Sequence, residues 1–69
     1  MPLTMAAAGE QNHIKKVGGK AETRQFLENL GFVAGSVVTV VNELGGNLIV
    51  SIKDSRVALS RDMAAKILI

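Results

Sequence analysis

The sequence predicts a mainly β protein: a small closed barrel of about five short strands, with one α-helix inserted at about 21–30 and a short helical turn at about 61–65 before the last strand. Three observations predict it. Seven glycines, among them the pairs Gly18-Gly19 and Gly45-Gly46, cut 69 residues into pieces mostly too short for helices. The run Val37-Val38-Thr39-Val40-Val41 is β-branched at every position and suits a strand far better than a helix. Only residues 21–30 switch to a helical period.

Taken in order, residues 11–17 read as a first strand anchored by Ile14 and Val17. Those two differ in parity, so they share a face only across a bulge or an early strand end. In residues 21–30, Thr23, Phe26, Leu27 and Leu30 fall at i, i+3, i+4 and i+7 and form one apolar stripe. Gly31 follows as the residue just past the helix, where a positive φ costs glycine little. A helix of about three turns is marginal alone and must lie against something.

Residues 36–42 form the next strand, and Leu44-Gly45-Gly46-Asn47 the hairpin connection. Residues 48–53 alternate, with Leu48, Val50 and Ile52 on one face. Asp54-Ser55 is read as a second tight turn, after which Val57 and Leu59 point inward. Ser60 is placed as the N-cap of the helical turn, with Asp62 in its first turn. Residues 66–69 complete the set as a strand. One domain spans residues 1–69. Closing such a sheet on itself removes free edges, and a helical turn before the last strand is the habit of SH3-like barrels.

Composition narrows the function. Apolar residues make up 48% and charged residues 20%, with one proline, which excludes a disordered linker. The absence of cysteine excludes disulfides, thiolate metal sites and cysteine nucleophiles. His13 is the only histidine, and with Glu10 it offers two metal ligands where iron or zinc sites want three or four. No catalytic set and no cofactor is expected, and the protein reads as a non-enzyme. The longest uncharged stretch, residues 29–42, is 14 residues. A spanning helix needs about 20, so no membrane insertion is expected. The first nine residues lack the basic region of a signal peptide, and a cytoplasmic location is expected.

The run Thr23-Arg24-Gln25-Phe26-Leu27-Glu28-Asn29-Leu30-Gly31-Phe32-Val33-Ala34-Gly35-Ser36-Val37-Val38 resembles the central signature of the FeoA family: a short helix ending in Leu-Gly, an apolar pair, then a Gly-Ser step into a Val-rich strand. Leu3-Thr4 with Gly9, Ile14-Lys15-Lys16-Val17-Gly18-Gly19, Leu44-Gly45-Gly46 and Val57-Ala58-Leu59-Ser60-Arg61-Asp62-Met63-Ala64 extend the likeness over nearly the whole chain. Ala34 departs from the proline frequent in the family, and Ala6 from a bulkier residue. The resemblance implies a cytoplasmic SH3-like accessory protein of bacterial ferrous iron uptake. Its implied partner is the cytoplasmic part of the FeoB permease, which carries a GTP-binding domain. Related domains also end metal-dependent repressors, so the fold alone does not fix the role.

The expected partner-binding residues are Arg24, Leu27, Glu28, Phe32 and Val33, on the helix and the loop after it, with Lys15 and Lys16. Phe26 and Leu30 are expected in the core, and Leu27 at the exposed edge of the stripe as a docking anchor between Arg24 and Glu28. Lys15, Lys16, Lys20 and Arg24 form a basic cluster, read either as a solvated rim or as a surface for phosphate contact or for steering toward an acidic partner or an anionic inner leaflet. Arg24, Arg56 and Arg61 are read as ordinary surface arginines rather than as a finger reaching into a GTPase. The alternative is a nucleic-acid-binding or metal-dependent-regulator-type SH3-like module using Lys15, Lys16 and Lys20. Nucleic acid is not expected, because both phenylalanines are expected to be buried and there is no Tyr or Trp for stacking. A homo-oligomer, through the strand at 37–41 or the helix edge, is a third reading.

Overall fold

The computed structural model describes all of residues 1–69. After a 3₁₀ turn at Leu3–Met5 the order is β1 (Gln11–His13), β2 (Lys16–Val17), α1 (Ala21–Asn29), β3 (Val37–Leu44), β4 (Asn47–Ile52), β5 (Ser55–Ser60), α2 (Arg61–Ala64) and β6 (Ile67–Leu68). Strands β1-β3-β4-β5 form one antiparallel sheet and β2-β6 a second, shorter one. There are thus six strands rather than about five, because the expected first strand is two.

The parity conflict of Ile14 and Val17 locates that division. β1 stops at His13, and the chain turns a corner into the other sheet. Both anchors can then be buried, Ile14 at 2% exposure and Val17 at 8%. The corner leaves no orphan amide: Ile14 N–H donates to the Ser36 carbonyl at 2.9 Å, and Lys15 N–H to that of Leu68 at 2.7 Å.

The β3–β4 hairpin turns on Gly45 (φ 59°) and Gly46 (φ 83°), two left-handed residues that match the twist of the strands they join. A bulge between Val40 and Asn42 bends β3. Val40, Val50 and Val57 then share one rung across β3, β4 and β5, and Leu48 pairs Leu59 on another. The turn from β4 to β5 is Lys53-Asp54, both left-handed (φ 48° and 65°), one residue earlier than expected. Ser60 caps α2 as expected, its hydroxyl accepting from Met63 N–H at 3.3 Å. Arg61 at the start of α2 reaches Glu43 of the hairpin at 2.6 Å.

Around the fully buried Leu3, Phe32, Val38, Val50 and Ile67, one apolar cluster fills the interior, with no buried polar side chain. The two ends of the chain complete the closure. Pro2 bridges Leu68, and Ile69 N–H donates to the Met1 carbonyl at 2.7 Å. β3 lies inside its sheet, flanked by β1 and β4, and Gly9 N–H takes the Val40 carbonyl at 2.7 Å. The strand-pairing route to self-assembly is therefore closed over residues 37–40. No helix is long and apolar enough to cross a membrane.

Candidate functional site

The end of α1 determines where the site lies. Gly31 sits past the helix at φ 106°, and its N–H donates to the Glu28 carbonyl at 2.9 Å. Phe32 N–H then donates to the Leu27 carbonyl at 3.0 Å. These two bonds make a Schellman motif, which folds the residue after the glycine back over the last turn. Leu27 and Phe32 both belong to the core as a result, each fully buried.

This corrects the expected exposed edge. Leu27 lies near the middle of the buried stripe, flanked by the half-buried Thr23 and Leu30, and cannot present its side chain to a partner. Phe26, expected inside, is the residue at the margin, 48% exposed. A stripe of about 100° covers both positions, and only the packing of α1 on the barrel decides which faces water. Leu30 is partly buried against the core. Phe26 therefore offers one exposed ring where none was expected.

After the helix, Val33-Ala34-Gly35-Ser36 forms a tight turn closed by Ser36 N–H to the Val33 carbonyl at 3.0 Å. Gly35 has φ 90° and Ala34 a negative φ, which makes it a type II turn. Gly35 N–H donates to the Ile14 carbonyl at 2.7 Å, which ties this loop to the β1–β2 corner. Between corner and loop opens a groove of about 300 Å³, lined by Lys15, Lys16, Val17, Glu28, Phe32, Val33 and Ala34.

The groove brings together five of the seven expected partner-binding residues: Lys15, Lys16, Glu28, Phe32 and Val33. Phe32 contributes from the core as a floor rather than as an exposed anchor. Arg24 joins through Glu28, 4.0 Å away one helical turn on, an exposed pair of the kind that contributes only tenths of a kcal/mol. Leu27 lies outside the groove. Val17 and Ala34 line it without having been singled out, and the departure from proline was the one sequence signal at Ala34.

The electrostatics are asymmetric. Lys15 and Lys16 are exposed and make no ion pair, whereas Glu28 on the other wall is answered by Arg24. Arg61 is engaged by Glu43, and Lys20 is exposed but does not line the groove. Nowhere do three or more His, Asp or Glu side chains converge to hold a metal ion.

The FeoA-domain family model matches residues 1–69 in full. The chain belongs to the FeoA family. It is 34% identical over 68 residues to the Fe(2+) transport protein A of Methanocaldococcus jannaschii, covering 99% of this chain and 83% of that one. Among solved structures it is similar to the FeoA of Stenotrophomonas maltophilia, a procaryotic SH3 domain protein complexed with zinc. That match has 26% identity and a TM-score of 0.85 over 99% of this chain and 87% of that one. A manganese-dependent transcriptional repressor shares the fold, with a TM-score of 0.85 at 18% identity over 97% of this chain and 39% of its own. The barrel of this FeoA chain is SH3-like, as expected.

Proposed function

We propose that this FeoA chain is a non-catalytic accessory protein of ferrous iron uptake that works in the cytoplasm, docking on the cytoplasmic part of a FeoB-type permease and modulating it. The observation that carries the reading is the groove: residues from three separated parts of the sequence converge there, with an apolar floor and two unpaired lysines. Family membership and the name of the archaeal relative supply the iron transport context. The reading leaves iron coordination to the permease.

Exposed cations at a groove mouth accelerate encounter with an acidic surface more than they strengthen the final complex. A groove of this size engages only a few side chains, which favours a weak, rapidly reversible association. That behaviour suits a modulator that must come and go.

The test is association of the purified permease, in lipid nanodiscs, with the immobilised chain at low salt. GTP turnover and ferrous ion flux are followed in parallel. Binding that weakens with added salt and with Lys15→Glu/Lys16→Glu, with changed turnover or flux, is expected. A permease that fails to associate at low ionic strength overturns the reading.

A further inference from the structure

We infer that the groove takes an extended acidic segment of another polypeptide. One aliphatic or aromatic side chain is seated against Val33 and Ala34, above the buried Val17 and Phe32, and a nearby carboxylate is held by Lys15 and Lys16. This rests on the reading that the chain docks on a protein partner, and it specifies the chemistry of what enters.

Size gives the first restriction. About 300 Å³ lies at the bottom of the range for ligand pockets, which suits a side chain or two rather than a cofactor. The lining gives the second. Val33 and Ala34 present a small apolar surface, backed by the buried Val17 and Phe32, that a phosphate or lipid headgroup would leave wet.

Charge gives direction. The free cations stand only on the corner wall, while the opposite wall carries Glu28 and its partner Arg24. A carboxylate is favoured at the lysine side and disfavoured beside Glu28, so the segment enters in one orientation. Lysines, as flexible point charges, tolerate a carboxylate at more than one spacing from the seated side chain. The same asymmetry disfavours a nucleic acid backbone, which wants cations along its whole track and no carboxylate across from them.

Proline-rich ligands are also a poor match despite the SH3-like barrel. Grooves for the polyproline helix are walled by exposed aromatic rings. Here the only aromatic side chain in the lining, Phe32, lies fully buried in the floor.

The experiment pans random phage-displayed dodecapeptides against the full chain and measures the winners as fluorescent peptides. Selected sequences are expected to place an Asp or Glu within two residues of a Leu, Ile, Met or Phe. Replacing that acid by Lys, or the apolar residue by Ser, should weaken binding by about tenfold or more. Lys15→Glu/Lys16→Glu and Ala34→Phe should do the same with an unchanged thermal melt, because all three positions are exposed.

Winners lacking an acid, winners built on proline, no winners, or full capture by the charge-reversed variant each overturn the inference. So does capture of phosphatidylglycerol vesicles or duplex DNA through these lysines when no peptide is held. A permease that binds the charge-reversed variant as well as the wild type keeps the accessory reading and removes the acidic segment. Peptides held with the expected pattern while the permease does not bind keep the segment and remove the permease.

Discussion

Ala34 and Gly35 should respond to substitution with opposite signs. In the type II turn that forms the groove's lip, Ala34 occupies the second position, where proline is favoured, and its N–H donates to no backbone carbonyl. Ala34→Pro therefore costs no hydrogen bond and removes freedom from the unfolded chain, worth about 0.4–1 kcal/mol. Unfolding entropy of about 2.1 cal/mol/K per residue, over a chain of this size, converts that to a rise in Tm of roughly 3–7 °C. Gly35, at φ 90°, has nothing within 4 Å of where a Cβ would stand. Gly35→Ala thus meets no clash, and its whole cost is backbone conformation, more than the proline gains. A fall in Tm of about 7 °C or more is expected. Differential scanning calorimetry on both variants decides it. A destabilising proline, or a neutral alanine, would refute the turn assignment and with it the rigid lip of the groove.

Gly31→Ala should cost more than Gly35→Ala in the same measurement. It combines φ 106° with a place in the motif that seats Phe32, while the new Cβ meets only the movable side chain of the exposed Lys53. Leu27→Ala should lose about 2–5 kcal/mol, a large share of a total stability of roughly 3–10 kcal/mol for a chain this long; urea titration is expected to show a strongly lowered midpoint. Phe26→Ser should leave the urea midpoint nearly unchanged, because its ring is half exposed. Ser60→Ala should lose about 1 kcal/mol through the missing cap, again read from the urea midpoint.

What the sequence disclosed was local. Leu48, Val50 and Ile52 alternate over a short span, and period two assigns a face without knowledge of the rest of the fold. The hairpin glycines and the Ser60 cap are likewise written within a few residues. Ile14 and Val17 announced a break through their parity, but the switch between sheets depends on β6, some fifty residues away.

The exchange of Phe26 for Leu27 has the same cause. Periodicity defines a stripe, and its buried centre is set by the barrel beneath and by the Gly31 turn that pulls Phe32 over Leu27. Lys53 carries no turn signal of its own, because lysine is not among the residues that favour left-handed backbone, so the sequence points to a turn one residue later than the one that forms. Half of the groove is visible in the sequence: its lysines, Glu28, Phe32 and Val33 are all among the expected partner-binding residues. That they meet at one place follows from the corner at Ile14-Lys15 lying against the end of α1, which is a property of the assembled barrel.

That corner couples the chain's two extremities to its open face. Through its backbone, Lys15 holds the Leu68 carbonyl, while its side chain lines the groove. The second sheet it fastens is only two residue pairs long. A ligand at this wall of the groove therefore lies beside the shortest seam of the barrel, one residue from the pairs that fasten its closing strand.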